Sequence, residues 1–174
     1  MKTILLATDF SLASRNASLY GMELAKALNA NIILLHSYIA QPDAPTLNVS
    51  KSRYDTMMRA EKRLLDEADF LDPKSEIIEI ICDEGVAHNS IMNVANEKKT
   101  DFIIVGRKGN GEAIKNIFGS TATALAKNTN IPVIIVPEDA KFENPVIEIN
   151  AGDSVKNIKT KVSGSFLECH VQIF

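Results

Sequence analysis

A strict alternation of short apolar runs with stretches of helical spacing constrains this chain more than any other feature. Thr3–Ala7, Ile32–Leu35, Glu76–Cys82, Phe102–Val105 and Val133–Val136 are near-continuous apolar runs. Runs of this length and composition suit strands buried on both faces. Between the first two, Ala13, Ala17, Tyr20, Leu24, Ala27 and Leu28 recur at helical spacing, with Asp9 and Ser11 as candidate N-caps. Gln41 to about Ser50 holds two prolines and reads as a loop. Arg53 to Phe70 is rich in helix formers, and Asp72-Pro73 stops it. Asp83-Glu84-Gly85 turns into a helix built on Val86, Ile91, Val94 and Ala95, and Ile114 to Lys127 reads as a fourth helix. Every crossover is long enough to hold a helix, which allows neighbouring strands to run parallel. The expected class is α/β: a doubly wound, five-stranded, mainly parallel sheet with helices on both faces and a C-terminal extension.

Sheets of this kind bind ligands outside the carboxyl ends of their strands, near the point where strand order reverses. The places to look are therefore after Ala7, after Leu35 and after Val105. The third place is rich in glycine, running Gly106-Arg107-Lys108-Gly109-Asn110-Gly111 and followed by Gly119-Ser120-Thr121. Glycines let backbone N–H groups approach an anion closely, and the two hydroxyls add donors. A P-loop is excluded because no Gly-Lys-Ser/Thr occurs. The glycines run Gly-x-x-Gly-x-Gly, the wrong order for a dinucleotide fingerprint.

The spacing Gly106-x2-Gly109-x9-Gly119-Ser120 resembles the ATP-binding signature of the universal stress protein family. Thr8-Asp9-Phe10-Ser11 is similar to that family's opening, Leu34-Leu35-His36 to the end of its second strand, and Ile131–Pro137 to its ending. The resemblance covers residues 1–137, and 138–174 would be a linker and tail. It implies an adenine-nucleotide alpha-hydrolase-like fold with strand order 3-2-1-4-5. It also implies ATP held with Mg²⁺. Ala7, Thr8 and Asp9 would lie against the nucleoside, and the backbone of Ser37 and Tyr38 would meet the adenine edge. Gly106 and Gly109 would let the chain pass close to the phosphates, and Gly119, Ser120 and Thr121 would bind them. Arg107, beside Lys108, either adds phosphate attraction or is a solvated surface charge. Ala122 stands where some relatives carry another hydroxyl. The resemblance further implies a homodimer through the fifth strand.

Several residues have plainer readings. His36 at a strand end is structural, His88 is exposed at a helix start, and Met57 and Met58 are packing. No Ser-His-Asp set, Cys-His pair or placed carboxylate pair offers a general base, so no catalytic residue is nominated. The leading function is a nucleotide-dependent regulatory or stress-response protein. A nucleotide-free dimeric interaction module is the alternative, and a slow ATP hydrolase ranks last. A net charge of −3 gives no basic footprint for nucleic acid. No apolar run reaches the roughly 18 residues of a membrane span, and no secretory signal is visible, so the cytoplasm is expected. Cys82 and Cys169 are far apart and read as free thiols. In the tail, Val146–Asp153 resembles the first strand and its Asp9 region, and Phe166–Phe174 resembles the second strand with His170 in the place of His36. The two landmarks stand 17 positions apart where their counterparts stand 27 apart, so the tail reads as a shortened or degenerate second repeat, or a chain cut early, without nucleotide binding of its own.

Overall fold

The computed structural model describes residues 1–40, 49–72, 78–107, 119–142, 158–162 and 165–169. Lys108, Gly109 and Gly111 lie outside them, as do most of the loop after Gln41, the start of the fourth expected helix, the 146–153 segment and His170. Five parallel strands form one sheet: β1 (Thr3–Ala7), β2 (Asn31–Tyr38), β3 (Ile78–Glu84), β4 (Phe102–Arg107) and β5 (Val133–Pro137). Their order is β3-β2-β1-β4-β5, as the resemblance implies. Strand order reverses at β1, which pairs with β2 on one side and β4 on the other.

Alternation along the strands divides the core. Ile4 and Leu6 of β1 face one cluster with Leu34 and Ile104 of the sheet and the inner faces of α1 (Leu12–Leu28) and α2 (Val49–Leu71). Leu5 faces the other, with Ile33, Ile103, α3 (Ala87–Glu97) and α4 (Ser120–Asn128). Because both faces are covered, β1, β2, β4 and β5 hold unbroken apolar runs, while the edge strand β3 is interrupted by Glu79. Gly21 sets the distance of α1 from the sheet: a Cβ there would stand 2.3 Å from Cδ2 of Leu6. A bidentate ion pair ties α1 to α2, from Arg15 to Glu67, whose side chain is 2% exposed. The Arg15 guanidinium also lies over the Phe70 ring.

The element ends differ from the sequence reading where polar residues continue a structure. Helix α2 starts at Val49, not Arg53, because Val49-Ser50-Lys51-Ser52 contains no breaker. Strand β3 runs on to Glu84, since Asp83 and Glu84 pair in register with Ser37 and Tyr38. Strand β4 likewise includes Gly106 and Arg107, paired with Val136 and Pro137, so the strand holds the first two residues of the glycine-rich run. Gly119 is extended (φ −55°, ψ 157°), so no single helix covers 114–127 and α4 begins at Ser120. His88 is half-buried rather than exposed, while Met58 is 43% exposed and not core.

In the tail, β6 (Ile158–Val162) and β7 (Ser165–Cys169) pair antiparallel in a sheet of their own. The segment that resembles β1, 146–153, lies outside the described residues, and β6 is a strand that the sequence reading did not anticipate. Two residues connect β6 to β7, and a parallel pair needs a crossover of a dozen or more. No helix among the described residues is long and apolar enough to cross a membrane.

Candidate functional site

The carboxyl ends of the strands open into a cavity of about 520 Å³, within the range of small-molecule sites. Strand β1 delivers Ala7, Thr8 and Asp9 to it, β2 delivers Leu35 and Ser37, and β4 delivers Val105, Gly106 and Arg107. The helix starts close it: Leu12 to Ser14 of α1, Ala87 and Ile91 of α3, and Ser120 to Ala122 of α4 after Gly119. Glu138, just past β5, completes the wall.

The turn after β1 is held from several sides. Thr8 is buried, and its N–H donates to the Leu35 carbonyl at 2.9 Å. Its hydroxyl accepts from the Phe10 N–H at 3.0 Å and meets the Ser14 hydroxyl at 3.2 Å. Of the two candidate caps, Ser11 performs the role: its hydroxyl accepts the Ser14 N–H at 3.2 Å. Asp9 instead accepts the Ser11 N–H at 3.0 Å, which turns the chain and leaves the carboxylate at the cavity. Burial alone would raise the Asp9 carboxyl pKa. Hydrogen bonds from Ser11 and Ser14 outweigh it and hold the group below its ordinary value.

Phe10 has φ 65°, a conformation costly for a bulky residue. Its side chain points away from the cavity into a stack. The His36 ring lies 4.2 Å from its centroid, and the Arg63 guanidinium sits 4.2 Å over it. His36 Nδ1 lies 2.8 Å from the Thr8 carbonyl oxygen, so this ring nitrogen donates and fastens the end of β1 to the end of β2. Burial, with some help from Arg63, lowers the His36 pKa against the opposing Thr8 hydrogen bond and Asp9 charge. The structural reading of His36 thus stands on its contacts.

Gly106 and Gly119 play different parts. A Cβ on Gly106 would fall 2.4 Å from the Ala13 carbonyl oxygen, so the missing side chain makes room for the first turn of α1. On Gly119 a Cβ would meet no described atom within 4 Å, and the residue lines the cavity. No side chain caps α4 from Gly119. The N–H groups of its first turn have no acceptor within the helix, and Gly119, Ser120, Thr121 and Ala122 line the cavity.

Of the expected site residues, Ala7, Thr8, Asp9, Ser37, Gly106, Arg107, Gly119, Ser120 and Thr121 come together around the cavity. Gly109 lies outside the described residues. Tyr38 does not line the cavity, and its carbonyl accepts the Gly85 N–H at 2.8 Å. Sequence reasoning missed Leu12, Ala87 and Glu138 and read Ile91 as core only. Glu138 was within reach, because it follows the last strand on the carboxyl side where ligands collect. Leu12 and Ala87 carry no chemical signal of their own.

The family model for the universal stress protein family matches residues 1–137. The chain belongs to the universal stress protein family. It is 28% identical over 151 residues to universal stress protein Rv2624c of Mycobacterium tuberculosis, covering 86% of this chain and 53% of that one. It is 28% identical over 159 residues to stress response protein NhaX of Bacillus subtilis, covering 76% of this chain and 96% of that one. The chain thus spans about half the length of its mycobacterial relative and nearly all of NhaX. Among solved structures, universal stress protein UspA from Lactobacillus plantarum superposes with TM-score 0.62 at 18% identity, covering 78% of this chain and 97% of that one. A universal stress protein in complex with cAMP gives TM-score 0.54 at 22% identity, with coverage of 78% and 96%. A family protein from Arabidopsis thaliana with AMP bound gives 0.51 at 15%, with coverage of 79% and 92%. At these identities the likeness is one of fold.

Proposed function

We propose that this universal stress protein holds an adenine nucleotide, ATP with Mg²⁺, and acts as a nucleotide-dependent regulatory protein of the stress response. The observation that carries the reading is the start of α4 at the cavity, where among the described residues no side chain caps the helix and no atom lies in the side-chain direction of Gly119. That is the cradle a phosphate chain needs. The opposite end of the cavity, at Leu35, Ala87 and Ile91, is apolar and suits a base. From β2 to β5 the sheet spans three strand spacings, about 14 Å, the scale of an extended mononucleotide. The structural neighbours with cAMP and AMP support the ligand class.

Magnesium fits this donor set in one way. Among the described residues no three His, Cys, Asp or Glu side chains cluster as a metal site. The ion would be held mostly by phosphate oxygens and water, as it prefers, with Asp9 and Glu138 as the available carboxylates. It would neutralise phosphate charge. The chain's own residues bind and orient: backbone N–H groups and hydroxyls at one end, and the Asp9 carboxylate at the turn. Among the described residues none is placed as a general base, and slow or absent hydrolysis is part of the proposal. The strand β5 is a sheet edge, and we place the homodimer contact there.

Calorimetric titration with ATP and Mg²⁺ tests the reading. Wild-type protein should bind, and a folded Gly119→Val protein should not, because the added side chain fills the cradle. Equal binding by both would refute the assignment of the phosphate end.

A further inference from the structure

Glu138 and Arg107 stand at adjacent strand ends. Arg107 is in register with Pro137, and Glu138 follows directly. Both line the cavity together with Gly119 and Ser120, and both are half-buried. Opposite charges so placed would be expected to pair, yet among the described residues neither has an ion-pair or hydrogen-bond partner. Arg107 has an evident use toward an anion. Toward an anion without its cation the Glu138 carboxylate has none: it accepts hydrogen bonds only, and it repels the group that the cradle attracts unless Mg²⁺ stands between them. Its effect grows with each negative charge that a ligand brings to the cavity and shrinks when a cation accompanies the ligand.

We propose that Glu138 grades nucleotides by phosphate charge, disfavouring a bare triphosphate relative to a monophosphate or a magnesium-complexed triphosphate. This rests on the nucleotide-holding reading of the same cavity and adds the residue that sets its selectivity. A carboxylate needs no direct contact for this, because the repulsion acts over several ångströms in a partly desolvated cleft. Asp9 is a weaker candidate for the role. Its carboxylate already accepts a hydrogen bond from Ser11, and it lies at the end of β1 rather than beside α4.

The test is calorimetric titration of the full chain with adenosine, AMP and ATP in EDTA, and with ATP in excess Mg²⁺. The proteins are wild type, Glu138→Gln and Glu138→Asp, each checked by thermal melting. Glu138→Gln should tighten ATP in EDTA by about tenfold and AMP by less, and leave adenosine within about twofold. Its effect on ATP with Mg²⁺ should be small. Glu138→Asp should keep the wild-type ranking. Glu138→Ala carries the same expectation as the glutamine protein should that one fail to fold. A glutamine substitution that shifts adenosine and ATP by the same factor, or shifts neither, overturns the inference while leaving nucleotide binding in place. A wild type that binds none of the ligands removes the nucleotide reading itself.

Discussion

At the scale of single residues, the two glycines flanking the phosphate end separate structural demand from ligand demand. Gly106→Ala would drive a Cβ into the backbone of Ala13, and overpacking of this kind costs about 1–3 kcal/mol. The added side chain of Gly119→Val would meet no described atom within 4 Å, so its loss, set by the poorer helix cap, should be smaller than that of Gly106→Ala. Urea denaturation of both proteins checks the contrast, and equal losses would contradict it. The spacing of the two glycines was legible in the sequence, but their different duties were not. Only the fold shows that α1 comes within contact of Gly106 and that no described atom stands in the side-chain direction of Gly119. His36 supplies a second residue-scale prediction. Its folded pKa lies below the ordinary 6.5, so the unfolded chain binds the proton more readily in the window beneath 6.5. Stability contributed by neutral His36 is therefore present above that value and falls as pH drops toward the folded pKa. The urea midpoint should decline between pH 7.5 and 5.5, and His36→Asn should flatten the decline. An unchanged slope in the asparagine protein would assign the pH dependence elsewhere.

At the scale of elements, helix–strand alternation was readable because period and composition change together at each boundary. The sheet order came from the family resemblance and matches the structure. What pattern reading missed were the ends. Asp83, Glu84, Gly106 and Arg107 look like loop residues, yet they extend β3 and β4 because backbone pairing continues past the last apolar side chain. The tie between α1 and α2 was equally hidden, since 52 positions separate Arg15 from Glu67. Glu67 is buried, so Arg15→Ala would strand its charge. The expected loss is about 2–3 kcal/mol, less than for a fully buried pair because solvent still reaches Arg15. Arg15→Ala, Glu67→Gln should recover part of it, because the second change removes the stranded charge. Denaturant midpoints of the single and double variants check this, and no recovery would mean that Arg15 acts through its packing on Phe70.

At the scale of the whole molecule, one sheet positions every part of the proposed site, and its edge at β5 is where a second copy is expected. Light scattering at micromolar concentration should give about twice the mass of the 19.1 kDa chain, and a monomer would argue against that contact. In the tail, pattern reading anticipated a strand near β7 but not β6, whose apolar residues alternate with lysines, and the two-residue connection makes that pair antiparallel. The central claim is that the cavity at the switch point holds an adenine nucleotide. Mass spectrometry of small molecules released from freshly purified, denatured protein tests it most directly, with Gly119→Val purified in parallel. The account predicts ATP or ADP from the wild type and none from the variant. No nucleotide from either, together with no binding at millimolar ATP and Mg²⁺, would contradict it and leave the fold as an interaction module.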